Sequence, residues 1–236
     1  MINISIEARM TSTRLPGKSL KLINGKPSLE IMVDRVRQAK MVNKIVIATT
    51  KNKKDDDIVN WCELNKINYF RGSENNVFDR VLKTHQKFNT KTIVELTGDC
   101  ILITAEMIDY AIKLYLKNDY EYVNIKDPFS MSVQVYSLQT LQSVKDKKIL
   151  GYLDKEHVTP YLYTSGEYKI LRTEIYKNFN FQETCLTLDT IEDWEVLNKI
   201  CRNFDNFLFS FEEIAKFIKK NPAVISNKHI NRKGLT

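Results

Sequence analysis

Lys44-Ile45-Val46-Ile47-Ala48-Thr49-Thr50 is a β-branched apolar run bounded by polar residues, the pattern of a strand buried on both faces. Upstream, residues 28–40 carry Leu29, Met32, Val33 and Val36 at helical spacing behind Pro27, which suits a helix start. Before that helix, residues 2–6 alternate apolar and polar side chains and are β-branched, as a short strand requires. Strand, helix, strand is a crossover unit.

The alternation continues downstream. Residues 55–65 place Ile58, Trp61, Cys62 and Leu64 on one helix face, and residues 68–71 form a short strand ending at Gly72-Ser73. A helix over 77–88 turns Val81, Leu82 and Phe88 inward, and residues 92–97 supply a fourth strand. This order predicts an α/β fold, a mostly parallel sheet with helices on both faces. The second half is less regular: helices are expected over 107–117, 138–144, 193–203 and 211–219, and strands over 121–125 and 132–136. Leu186-Thr187-Leu188-Asp189-Thr190 is a further β-like run, with Thr190 and Asp193 spaced to cap the helix after it. No linker demands a cut, so residues 1–236 read as one domain.

With 236 residues, 43% of them apolar, the chain can bury a sizeable core. Seven Gly, five Pro and the absence of low-complexity tracts argue against disorder. No apolar run is long enough to cross a membrane and the start lacks signal-peptide features, so a cytoplasmic protein is expected. Cys62, Cys100, Cys185 and Cys201 are widely separated, which suits reduced thiols and not a zinc site or disulfide framework. The net charge of +7 is uneven: residues 1–54 hold twelve Lys/Arg against three Asp/Glu, and residues 214–236 six against none. A basic amino-terminal part suits a polyanionic ligand, whereas the basic tail reads as a solvated end.

In parallel sheets, ligands gather beyond the carboxyl ends of the strands. The first such loop is Ala8-Arg9-Met10-Thr11-Ser12-Thr13-Arg14-Leu15-Pro16-Gly17-Lys18, with three permanent positive charges, a group of hydroxyls and a Pro-Gly turn. It reads as a triphosphate clamp, in which Arg14 and Arg9 offer planar forks and Lys18 a point charge. A solvated basic loop is the alternative for this segment taken alone. The loop after the fourth strand holds Gly98, which lets a ligand approach the backbone, and Asp99. A carboxylate beside a basic loop contacts phosphate only through a cation, and Mg2+ takes one or two carboxylates plus phosphate oxygens. Asp99 is the first candidate ligand and Asp189 the second.

Taken together, residues 7–18, Asn24-Gly25-Lys26-Pro27, Ile47-Ala48-Thr49-Thr50, Arg71-Gly72-Ser73-Glu74, Val77-Phe78-Asp79-Arg80, Thr97-Gly98-Asp99-Cys100, Glu156-His157-Val158-Thr159-Pro160 and Leu186-Thr187-Leu188-Asp189-Thr190 resemble, in order and spacing, the SpsF-like cytidylyltransferase family. More distantly they resemble the CMP-Kdo and CMP-sialic acid synthetases. The resemblance implies a Rossmann-like sheet of the nucleotide-diphospho-sugar transferase type, and transfer of CMP from CTP to a small-molecule acceptor with Mg2+ and release of pyrophosphate. It assigns Arg9, Arg14 and Lys18 to the triphosphate loop and Asp99 and Asp189 to the metal, and the negative charge that grows on departing pyrophosphate makes Arg14 and Lys18 the candidates for stabilising the leaving group. Ala8, Thr97 and Gly98 join the nucleotide site, walled by Arg71, Gly72, Asp79 and Arg80. A homodimer is implied, with residues 121–160 as a dimerisation or acceptor region and His157 in a structural or dimer-contact role. Two departures stand out. Residues 126–131, from which acceptor contacts would come, are shorter than usual, and Glu7 replaces the usual Gln near the base pocket.

Two rival readings use other features. A nucleotide-sugar-dependent glycosyltransferase would use a DxD-type metal site, which Asp55-Asp56-Asp57 satisfies nominally; at a helix start, however, that run reads as capping and as a complement to the macrodipole. A nucleic-acid-binding module would interleave basic residues with exposed aromatics, but the Tyr and Phe residues fall mainly at apolar-periodic positions.

Overall fold

A computed structural model describes residues 1–147, 150–179, 181, 184–228 and 230. In chain order the elements are β1 (Ile2–Glu7), β2 (Leu22–Ile23), β3 (Lys26–Pro27), α1 (Ser28–Val36), β4 (Lys44–Thr50), α2 (Asp56–Leu64), β5 (Asn68–Gly72), α3 (Val77–Lys87), β6 (Thr92–Thr97) and α4 (Ala105–Lys117). There follow β7 (Tyr122–Lys126), β8 (Ser132–Ser137), α5 (Leu138–Asp146), α6 (Tyr152–His157), α7 (Pro160–Thr164), β9 (Ile170–Glu174), α8 (Ile191–Cys201) and α9 (Phe211–Lys220).

Seven strands form one sheet in the order β5-β4-β1-β6-β8-β7-β9, and only β8 runs against the rest. The strands β1, β4, β5 and β6 are parallel neighbours, so their carboxyl ends share one edge. That edge receives the loops after residues 7, 50, 72 and 97.

Alternation within each strand divides the core. Ile4, Ile6, Val94 and Leu96 point to one face, where they join Leu29 and Val33 of α1, Ile58 of α2, Ile108 of α4, Leu197 of α8 and Ile214 of α9. On the other face Ile93, Tyr122 and Tyr136 meet Phe78 and Val81 of α3, Leu141 of α5 and Leu162 of α7. The helix α1 is shorter than predicted, ending at Val36. Its Arg35 is only 3% exposed and donates to the carbonyls of Leu102, Ile103, Phe207 and Phe209, tying α1 to the segments before α4 and α9.

The β-like run before Asp189 is not a strand. Its amides bond singly to two different segments, Leu186 to the Phe129 carbonyl and Leu188 to the Asp99 carbonyl, so no ladder forms. The hairpin β2–β3 and the strand β9 are additional to the predicted elements. The hairpin docks on α8, where the Trp194 indole donates to the Leu22 carbonyl at 2.8 Å and the Asn24 amide donates to Asn198 Oδ1 at 2.8 Å.

A polar row crosses the second face: Ser5, Glu95, Gln134 and Asn124 stand side by side in register. The Tyr136 hydroxyl donates to Glu95, and those of Tyr122 and Thr159 donate to Gln134 at 2.6 Å each. Burial pushes the Glu95 carboxyl up to about 8, although Tyr136 partly opposes the shift. The native state therefore keeps a proton that the unfolded chain releases near its ordinary value, and stability falls as pH rises from about 4.5 to about 8. Asp127, raised to about 7 by burial, adds the same sign. Glu95→Gln is expected to flatten this slope by several degrees of Tm, at ~2–4 °C per kcal/mol for a chain of this length. Thermal unfolding at pH 5 and pH 8 measures it; an unchanged slope contradicts the expectation.

Candidate active site

The turn at Pro16-Gly17 places Gly17 at φ 74°, in the left-handed region, and its amide closes back on the Met10 carbonyl at 2.9 Å. The loop over residues 8–18 is pinned from several sides. Leu15 is buried, the Ser19 hydroxyl holds the Arg9 carbonyl at 3.1 Å, and the Ser28 hydroxyl at the start of α1 holds the Lys18 carbonyl at 2.5 Å. Asp55 is fully buried and accepts the Met10 amide at 2.7 Å, the Thr50 amide at 3.3 Å and the Thr50 hydroxyl. This corrects the capping role expected of the Asp55-Asp56-Asp57 run. Asn52 is the side chain that caps there, accepting the Lys54 amide at 3.0 Å, while Asp56 pairs with Arg71 at 2.6 Å.

Held in this way, the loop directs two cations at one carboxylate. Arg14 Nη2 and Lys18 Nζ each lie 2.9 Å from Asp189 Oδ1, and Lys18 Nζ is 3.8 Å from Asp99 Oδ2. Burial opposes ionisation of Asp189, but Lys18 and Arg14 more than offset it and hold its carboxyl below the ordinary range. The other Asp99 oxygen, Oδ1, is buried without a hydrogen-bond partner among the described residues. Two carboxylates that share Lys18, one of them with an unpartnered oxygen, are a donor set suited to a hard divalent cation. The described residues hold no group of three or more His, Cys, Asp or Glu that could bind a metal, so phosphate or water oxygens would complete its coordination.

Gly98 has a different reason from the one its position suggested. Its amide bonds the Glu7 carbonyl at 3.0 Å, and a Cβ there would sit 2.6 Å from that same oxygen, so its own chain demands glycine. Ala8 is buried beside it, and Thr97 is exposed with its hydroxyl 3.3 Å from Cys100 Sγ.

The residues after β5 serve mainly to build the wall. Arg71 donates to the carbonyls of Thr50 and Asn52 at 2.8 Å each, bracing the β4–α2 turn. Gly72 makes room for Arg80, whose Cγ would lie 2.7 Å from an added Cβ. Arg80 is 2% exposed and donates to the Ser73 carbonyl at 2.5 Å, and its Nε is buried without a partner among the described residues. Asp79 pairs along α3 with Lys83 at 2.8 Å, not with Arg80. Arg9 acts electrostatically on Arg80 and Glu74. Glu74, which the sequence did not single out, accepts from Asn52 at 2.9 Å and Thr11 at 2.8 Å, joining three loops. These two hydrogen bonds hold its carboxyl below the ordinary range. Burial and then Glu95 raise Glu7 well above that range, and its Oε2 is likewise without a partner among the described residues. His157 is exposed at the end of α6.

A model of the cytidylyltransferase family matches residues 4–230. The spore coat polysaccharide biosynthesis protein SpsF of Bacillus subtilis is 31% identical over 225 residues, covering 92% of this chain and 93% of that protein. A solved cytidylyltransferase from Leptospira borgpetersenii superposes with a TM-score of 0.89 at 31% identity, over 98% of both chains. The CMP:2-keto-3-deoxy-manno-octonic acid synthetase solved with CTP has a TM-score of 0.69 at 15% identity, covering 86% of this chain and 98% of that one, a likeness of fold.

Proposed function

Because the chain belongs to the cytidylyltransferase family, we propose that it transfers CMP from CTP to a sugar acid or phosphorylated small molecule, releasing pyrophosphate, in the synthesis of a surface polysaccharide or glycoconjugate. The observation that carries this reading is the meeting of Arg14, Lys18, Asp99 and Asp189 at the carboxyl edge of the sheet. The polysaccharide context is supported by the likeness to the Bacillus subtilis spore coat protein.

Binding of the triphosphate exchanges the carboxylate partner of Arg14 and Lys18 for phosphoryl oxygens. As an acceptor oxygen attacks the α-phosphorus, negative charge grows on the bridging oxygen of the departing pyrophosphate. Arg14 and Lys18, already fixed at that edge, stabilise it without reorganising. Asp99 and Asp189 would hold Mg2+, which would supply charge neutralisation at the phosphate oxygens. Ala8, Arg9, Thr97 and Gly98 line the nucleotide side, with Gly72 and Arg80 behind them, and Arg71 and Asp79 act through the wall they brace. An acceptor that is already a carboxylate or phosphate needs no base, so His157 stays outside the catalytic set.

The reading includes one domain over 1–236 and a homodimer through residues 121–160, supported by Tyr152 and Leu153, which are 77% and 60% exposed on α6. It also includes a cytoplasmic location, where CTP is made. None of the described helices is long and apolar enough to cross a membrane.

A thermal-shift panel tests the substrate. CTP at ~100 times its Kd, with Mg2+, contributes about 2.7 kcal/mol, an expected rise of ~5–11 °C. UDP-sugars and oligonucleotides should leave Tm unchanged; stabilisation by either of these, with none by CTP, overturns the reading.

A further inference from the structure

Asp189 lies on an extended loop, and an extended loop does not by itself hold a carboxylate in place. Two capping boxes in this molecule show what holds this one. At α9, Ser210 and Glu213 cap the helix, and Glu213 is exposed. At α8, Thr190 and Asp193 form the same box, but Asp193 is fully buried and has additional work. Its Oδ2 accepts the amide of Thr190 at 2.9 Å and also that of Asp189 at 3.0 Å. Its Oδ1 accepts from Asn227 Nδ2 at 2.7 Å, and the same Nδ2 donates to the Cys185 carbonyl at 3.0 Å. Asn227 is 2% exposed and comes from the segment after α9, two residues beyond the buried Ile225.

A single amide thus clasps the Asp189 loop on both sides, at Cys185 before it and at Asp193 after it. Helix capping needs only the Thr190–Asp193 pair; the third member is directed at the loop. We infer that Asn227 is a positioning residue for the reaction, acting through Asp193 to set the direction of the Asp189 carboxylate. This rests on the reading of Asp189 given above. A displacement near 1 Å at such a group is enough to lower the rate ~100-fold, and residues that orient metal-binding groups typically contribute 10–100-fold in affinity or activity.

The test is Asn227→Leu, similar in size but without donors, compared with Asp189→Ala and with Ile225→Ala, which loosens the same tail without touching Asp193. Asn227→Leu is expected to lower kcat ~10–100-fold and to raise ~10-fold the Mg2+ concentration giving half-maximal rate. The Mn2+ bound in the presence of CTP, followed by the loss of its free electron-paramagnetic-resonance signal, should weaken in parallel. Combined with Asp193→Asn, the loss should be less than the product of the two single losses. Ile225→Ala should lower Tm without shifting either metal measurement. Wild-type kcat and metal affinity in Asn227→Leu, with Asp189→Ala inactive, overturn this inference alone. An equal metal shift in Ile225→Ala also overturns it, because any loosening of the tail would then suffice. A fully active Asp189→Ala instead overturns the assignment of Asp189. Should Asn227→Leu fail to fold, Asn227→Ala carries the same comparison.

Discussion

Asp99→Ala is expected to yield a folded protein that releases pyrophosphate from CTP about a thousandfold more slowly, or not measurably. The two halves of this outcome have separate causes. One Asp99 oxygen is buried without a hydrogen-bond partner among the described residues, and the other stands 3.8 Å from Lys18, which has a closer partner in Asp189 at 2.9 Å. Removing the carboxylate thus relieves an imperfectly paired, partly buried charge and should leave Tm unchanged or slightly raised. Activity should suffer because, on the proposed reading, the side chain holds the metal where negative charge moves during nucleotidyl transfer, and groups at such positions contribute several kcal/mol to the barrier. Asn at this position separates shape from charge and should be nearly as inactive as Ala. A coupled pyrophosphate assay over a Mg2+ series, with thermal unfolding alongside, measures both halves. Undiminished Mg2+-dependent turnover rejects the role of Asp99; lost activity with collapsed Tm rejects the claim that the role is chemical.

Gly98→Ala should be strongly damaging. The new Cβ would lie 2.6 Å from the Glu7 carbonyl oxygen, and neither backbone can retreat while Gly98 and Glu7 are hydrogen-bonded and β1 is in register with β6 through Glu7 and Thr97. Overpacking of this kind costs ~1–3 kcal/mol, a loss of up to ~10 °C in Tm. The strand ends would also be forced apart, separating the cationic loop after β1 from Asp99 after β6, with ~100-fold lower turnover. The sign is informative, because Gly→Ala at a compatible position normally stabilises by roughly 0.4–1 kcal/mol. Gly151 supplies the control: its added Cβ would meet nothing closer than Asp154 Oδ2 at 3.5 Å, so Gly151→Ala should be near neutral. Unfolding and turnover of the two variants decide the matter, and equal behaviour would mean that the β1–β6 contact is not tight.

The strands β1, β4, β5 and β6 were legible to within a residue or so: β1, β4 and β6 are β-branched runs, which have few other uses, and β5 is a short aromatic stretch stopped by Gly72-Ser73. The missed elements were short or ambiguous. Two-residue strands such as β2 and β3 have no periodicity to read, and α6 is followed by Val158, a β-branched residue at φ 65° that no local pattern announces. The run before Asp189 has strand composition but lacks a neighbour along its length. At the site, Arg14, Lys18, Asp99 and Asp189 were singled out because a basic loop and two carboxylates at the ends of strand-like runs suit a cation-bridged phosphate and match the family's motifs, and the structure brings the four together. Asp55, Glu74 and Asn227 were not legible. Each satisfies backbone or side-chain groups far away in sequence, Asp55 to Met10 across 45 residues and Asn227 to Cys185 across 42, and composition does not record such partners.

Arg14 and Lys18 precede Asp189 by 175 and 171 positions, and Asn227 follows Asp193 by another 34. A ribosome therefore releases the cationic loop long before its acidic counterpart has been translated. Nascent chains halted anywhere in between carry Arg14 and Lys18 without Asp189, the carboxylate that both of them meet in the finished fold. Contacts so distant along the polymer also form late and slowly when the protein refolds, so recovery of catalysis from denaturant should trail the return of helical circular dichroism.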